Sequence, residues 1–452
     1  MKKLSYFGAM LFFAALTYSC ASEDKAITEL YTTIELDGHK YKTDLIATLQ
    51  GEVGEEVTLG LGVYDNFDIY GVDFGDGIII TDTVGNQNGG VKGEDGLTKA
   101  GTTHTSTTTF TGTIGYKGIV KVYGKSDIWY LTINGKLLPT AFDQEKLANV
   151  VQISITGSSA ETVELPALTK LTSFSFNNSP VKKVDVSKVP TLTSLTINNM
   201  LAAPQLESID VSNNPELTYL SLQGNANGNG ALTSLDLTKN TKLEGIYVQY
   251  NKIKEIKMIG FDKLGTFNAG YNQLEAINPA AMPAVKWFDV QSNKLKGDLD
   301  IPSDKLTNVY VNNNELTSVK VKDVTKQFYF DNNKMTFATM PALPEGMNTD
   351  KKKKQFHYAP QADMEVAPEG SVLDLSAQAS AKGIEAEAQA TTFALTAGDA
   401  ILVEGKDYTV TGGKITFITD QKDVLVKMNN AGYPDLTLHT KPFDVKGTHP
   451  ED

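Results

Sequence analysis

Nine times between Val150 and Leu343 the chain returns to the pattern L-x-x-L-x-L, completed by x-x-N in the last six units and often with Val, Ile or Phe standing in for Leu, and most steps are 21 residues long. The units begin at Val150, Leu171, Leu192, Leu217, Leu243, Leu264, Val285, Leu306 and Thr325. Two steps are longer because extra residues enter at Asn198–Gln205 and Asn225–Ala231. Each unit closes with a shorter half, such as LTSLDLTKN from Leu232 or VKKVDVSKV from Val181. Apolar side chains at the fourth and sixth positions alternate with polar ones, which is the period of a strand with one face buried. A unit this short cannot bury that face alone, so the units must stack into a solenoid.

The pattern closely resembles the leucine-rich-repeat family, in the bacterial form with a second short strand where other members have a helix. The resemblance implies that Asn225, Asn251, Asn272, Asn293, Asn314 and Asn333 bury their amides and satisfy loop backbone groups, each otherwise costing about 1–3 kcal/mol. The first three units carry Ser158, Ser179 and Met200 instead, so that end is read as degenerate and partly merged with a cap.

The flanks differ in texture. Residues 30–145 are rich in Thr, Gly, Val and Ile in short alternating runs, which predicts a β-sandwich. YGVDFGDG (Tyr70–Gly77) resembles immunoglobulin-like domains of the PKD type; Asp73 and Asp76 are expected to hold their own turn rather than calcium. The repeats are expected over 146–348. After the solvated run Lys351–Lys354, residues 355–448 predict a second sandwich that caps the solenoid, with a hairpin turning at Gly412-Gly413. The expected fold class is mainly β: a leucine-rich-repeat solenoid between two Ig-like sandwiches.

At the N-terminus, Lys2, Lys3 and an apolar run to Leu16 read as a secretion signal over residues 1–19, too short to span a membrane. Cys20, the single cysteine, follows that run and resembles the acylated cysteine of a bacterial lipobox, with residues 20–29 as tether. Glu23 and Asp24 just after it resemble the surface-export signal of Bacteroidetes lipoproteins. The whole plan is similar to surface lipoproteins of that group, BspA-like adhesins included. It implies an outer-membrane lipoprotein exposed at the cell surface that binds an extracellular protein or glycan.

A net charge of -13 and the absence of arginine argue against nucleic acid as a partner. The five histidines show no metal-ligand spacing and no cofactor motif occurs, so neither cofactor nor metal is expected. Glu244, Asp289 and Asp331 are the acids from which a glycosidase pair would have to come, but nothing beyond their exposure on the repeats marks them, and no enzyme is expected. An envelope scaffold without a soluble ligand is the remaining alternative. The outward positions of the first-half strands say more. Tyr219 and Trp287 stand at the third position, Tyr247, Asp289, Tyr310 and Tyr329 at the fifth, and Tyr250 and Tyr271 at the eighth. The early units show only Ser154, Ser175 and Thr196 at the fifth position. Six strands about 4.8 Å apart make an expected aromatic patch about 24 Å long. Solvent-facing Tyr and Trp clustered in this way are expected to bind a ligand.

Overall fold

The computed structural model describes residues 10–12, 31–36, 39–63, 68–84, 91–92, 98–99, 106–124, 128–142, 147–199, 205–227, 230–347 and 354–449. Cys20, with Glu23 and Asp24, lies outside the described residues. The chain divides into two compact units, Met1–Ile259 and Gly260–Asp452.

The first unit opens with two sheets. One runs in the order Leu137–Phe142, His39–Gly51, Ile119–Gly124, Asp68–Asp73 and Ile79–Val84, all antiparallel, with Tyr31–Leu36 also on His39–Gly51. The other contains Ser106–Thr113, Glu56–Val63 and Ile128–Asn134. Leu49, Leu59, Leu61, Tyr70, Val72, Val120 and Val122 are buried here. Asp73 accepts hydrogen bonds from the N–H groups of Gly75 (2.8 Å) and Gly77 (3.0 Å), and Asp76 from that of Ile78 (2.8 Å), as a self-bonded turn requires.

Ile128–Asn134 also pairs in parallel with Gln152–Thr156, the first repeat strand. This second sheet therefore runs straight into the solenoid and covers the open edge that a row of stacked strands would otherwise expose. Ser173–Asn177, Ser194–Thr196, Tyr219–Ser221 and Gly245–Tyr247 follow in parallel, with Ile153, Phe174, Leu195, Leu220 and Ile246 in register and buried. The second halves pair on their own side, Thr162–Glu164 with Lys183–Asp185 and Ser234–Asp236 with Glu255–Lys257. They carry a ladder of asparagines, in which Asn240 closes the half LTSLDLTKN. The Asn214 amide donates to Val186 and Val189 oxygens, and that of Asn240 to Val211 and Asn214 oxygens, all at 2.9–3.0 Å.

In the second unit, Thr266–Asn268, Trp287–Asp289, Asn308–Tyr310 and Gln327–Tyr329 stack in parallel. A further strand, Phe356–His357, pairs with Gln327–Tyr329. The solenoid thus reaches into residues that the sequence had assigned to the second sandwich. Gln355-Phe356-His357-Tyr358 repeats Gln327-Phe328-Tyr329-Phe330, but at a step of 28 residues rather than 21. Beyond it lie two sheets. One holds Val372–Asp374, Lys414–Phe417 and Tyr408–Thr411; the other is built on Gln389–Ala397 and Gln421–Asn430. Gly412 and Gly413, at φ +57° and +82°, make the tight turn between Tyr408–Thr411 and Lys414–Phe417. Tyr433 docks this region on the last repeats: its ring stacks 5.9 Å from Phe337 and its hydroxyl donates to the Pro341 oxygen at 2.9 Å.

The asparagines at the ninth position behave as the pattern requires. The Asn333 amide donates to the oxygens of Val311 and Phe330 at 3.0 Å, and its own oxygen accepts from Leu316 N–H at 2.9 Å. In the early units the hydroxyls of Ser158 and Ser179 bond nearby carbonyls, and Asn199 rather than its neighbour Met200 supplies the amide, donating to the Ser179 oxygen at 2.7 Å. The eighth position takes a left-handed backbone in Asn178, Tyr250, Tyr271, Ser292, Asn313 and Asn332, with φ between 48° and 62°.

Candidate binding surface

The polar side of the repeat strands carries the expected aromatic residues, in both units. In the first, Tyr219 and Tyr247 meet with ring centroids 5.3 Å apart. Gly245, at the third position of its repeat unit, makes this possible: a Cβ there would lie 3.2 Å from Tyr247 and 3.5 Å from Tyr219. Beside them the seventh-position amides form a chain of their own. Asn177 donates to Ser175 at 2.6 Å, Gln223 to Ser221 at 3.0 Å, and Gln249 to Gln223 at 2.7 Å. Ser221 is fully buried under this layer, so the fifth position is not uniformly open to solvent.

In the second unit the rings form a row across four strands. Trp287 lies 5.3 Å from Tyr310, Tyr310 5.2 Å from Tyr329, and Tyr329 4.0 Å from His357. Trp287 is 38 % exposed and His357 is exposed; Tyr310 and Tyr329 are half-buried. An amide network holds the row. Asn308 donates to Tyr310 at 3.2 Å and to Gln327 at 2.7 Å, the Tyr310 hydroxyl donates to Gln327, and Gln327 and the Tyr329 hydroxyl both donate to Gln355 at 3.0 and 2.9 Å. Burial raises the Tyr310 hydroxyl above its usual pKa. His357 and Gln355 were not foreseen as members of the site, although the QFYF and QFHY echo could have shown them. Past His357 a cleft of about 390 Å³ opens, lined by Lys354, Tyr358, Ile384, Pro434 and Asp435 among others.

Tyr250 and Tyr271 occupy the left-handed eighth position, which costs a bulky residue more than the Asn or Ser found there in other coils. Tyr271 is 43 % exposed, with its hydroxyl 3.5 Å from the Gln291 oxygen.

Asp289 departs from the expectation of a solvent-facing acid. It is only 5 % exposed. Its carboxylate accepts from the Gln291 N–H at 3.1 Å and from the Gln291 amide at 3.1 and 3.0 Å. Burial nevertheless dominates and pushes its pKa up to about 6. Burial likewise raises Asp331, at the seventh position two coils on. Glu244 is exposed in the first unit, beside the Gly245–Tyr247 strand. Among the described residues no group of three or more His, Cys, Asp or Glu side chains could hold a metal ion.

No family model matches the chain, and no curated protein does. Among solved structures the chain is similar to the functional domain of InlJ from Listeria monocytogenes, at 16 % identity and a TM-score of 0.25 over 67 % of this chain and 84 % of that one. It is also similar to the LRIM1/APL1C complex, at 17 % identity and a TM-score of 0.34 over 46 % of each chain. Among the described residues the chain is mainly β, and its repeats form a β-solenoid.

Proposed function

We propose that this chain is a cell-surface lipoprotein, anchored through acylated Cys20 and carrying immunoglobulin-like domains on either side of its repeats, that binds a protein ligand with the polar face of the repeat sheet. The row Trp287, Tyr310, Tyr329 and His357 is the observation that carries this reading. Rings are the side chains that most often dominate recognition. Here an amide network fixes two of them before any ligand arrives, which lowers the ordering cost of binding. The same mixture of rings and planar amides suits the hydroxyls of a glycan, which is the second reading.

The purified chain without its leader, presented to arrays of extracellular proteins and of glycans, tests both. Binding to a protein that Trp287→Ala and Tyr329→Ala weaken by about 1–3 kcal/mol supports the first reading. Binding confined to glycans supports the second. Turnover of any arrayed substrate, or binding indifferent to both substitutions, defeats the proposal.

A further inference from the structure

Asp289 is a buried acid without a cation. Among the described residues no lysine or histidine makes an ion pair with it, whereas Glu216, Glu315 and Asp420 are held by Lys242, Lys334 and Lys446. Nor does the turn need its charge. One coil earlier Asn268 makes the same contact, accepting from the Gly270 N–H at 3.2 Å as Asp289 accepts from Gln291. An amide oxygen suffices there, so the negative charge at 289 is surplus to the fold, and burying it unpaired costs stability.

The surroundings show what it could receive. Trp287 lies on the same strand, Tyr310 is the cross-strand partner of Asp289, and the two rings are 5.3 Å apart. On the other side Gly270 presents no side chain: a Cβ there would stand 2.9 Å from Asp289 Oδ1 and 3.5 Å from Asn268 Oδ1. The register therefore sets Asp289 between Asn268 on one neighbouring strand and Tyr310 on the other, with Trp287 two residues before it on its own strand and the Gly270 backbone close against its carboxylate. Hydrogen bonds from Gln291 alone leave the carboxylate spare acceptor capacity.

We infer that Asp289, Asn268 and the rings of Trp287 and Tyr310 form a receptor for one cationic side chain, a lysine or arginine, of a protein partner. A carboxylate supplies the charge and the aromatic faces the cation–π attraction. The chain's net charge of -13 favours a basic partner as well. This assignment rests on the proposed binding role of the sheet and names the chemistry that the sheet selects. It also carries a pH dependence. The titratable group facing Asp289 from the adjacent strand is Tyr310, and Tyr271 reaches Gln291; Asn268 and Gly270 on the remaining side do not titrate. Protonating Asp289 removes the charge that the cation needs, so affinity falls as pH drops through about 6.

End-blocked pentapeptides of Gly and Ser with a central Lys, Arg or uncharged norleucine are the probes, titrated against the purified chain and followed by Trp287 fluorescence, with Trp287→Phe assigning the signal. The Lys or Arg peptide is expected to bind about tenfold more tightly than the norleucine peptide at about pH 7.5. That preference should vanish at about pH 5, in Asp289→Asn, and in Gly270→Ala, whose methyl crowds the carboxylate while keeping the acid. Equal binding of the norleucine peptide, a preference that survives Asp289→Asn, or no saturable binding of any peptide overturns the receptor. Because the arrays above read the ring row independently, the broader binding role can stand when this test fails.

Discussion

Gln361 takes the place in the last coil that Asn333 takes in the coil before it. The Asn333 amide donates to Val311 and Phe330 oxygens and its oxygen accepts from Leu316 N–H. The Gln361 amide donates to Phe330 and Tyr358 oxygens at 3.0 and 2.7 Å, and its oxygen accepts from Met335 N–H at 3.1 Å. One methylene longer, it closes the same three bonds in a coil whose step is seven residues longer than the usual 21.

Replacing either residue by Ala strands the same kind of buried loop groups. Asn333→Ala and Gln361→Ala should each destabilise the chain by about 1–3 kcal/mol in urea melts. Asn268→Ala, which loses one half-exposed contact to Gly270, should cost about 0.5 kcal/mol. A silent Gln361→Ala would mean that the last strand is not a true coil of the solenoid.

The raised pKa of Asp289 fixes the sign of a stability effect. Between its ordinary carboxylate value and about 6 the folded chain holds a proton that the unfolded chain has lost, so stability falls as pH rises through that window and is level above it. The loss amounts to about 3 kcal/mol at most. In Asp289→Asn this contribution disappears, so the variant should be more stable than the parent above about pH 6 and not below about pH 4. Melts of both proteins across that range, taken as a difference, isolate it from the other carboxylates.

The ring row separates binding from folding only in part. Trp287→Ala should cost about 1 kcal/mol, less than a core truncation, because more than a third of the residue stays open to solvent and its loss opens no enclosed cavity. Tyr310→Phe removes a hydroxyl engaged with Asn308 and Gln327, and should cost about 0.5–1.5 kcal/mol. By contrast Leu264→Ala, at a fully buried first position, should cost about 2–5 kcal/mol. Chemical denaturation of the three variants gives the order, and a Trp287→Ala loss as large as that of Leu264→Ala would show the ring to be core.

The proposed anchor predicts that Cys20→Ala, expressed with residues 1–19 in place, moves from the membrane fraction to the soluble one, since stable attachment through a lipid requires the acyl chains. Fractionation and immunoblotting decide it, and a variant that stays with the membranes refutes the lipid.

What the sequence by itself determined is the periodic part. Apolar residues at the fourth and sixth positions leave a repeat strand no way to hide its apolar face except against its neighbours, and the buried residues from Ile153 to Phe328 follow that rule. Local turn chemistry was equally legible, in the Asp73 loop and the Gly412-Gly413 hairpin, because both depend on residues close in the chain. Three things were decided only by tertiary structure. Ile128–Asn134 joins the sheet of Glu56–Val63 to the first repeat through a strand pairing that no spacing announces. Phe356–His357 closes the solenoid after an irregular step, where the strand pairing overrides the period. Asp289 stands at a position that alternation assigns to solvent, yet it is buried, because its exposure is set by what surrounds it in space: Gln291 two residues on, Asn268 on one neighbouring strand and Tyr310 on the other. A period fixes which way a side chain points; the neighbours that meet it there fix what it can do.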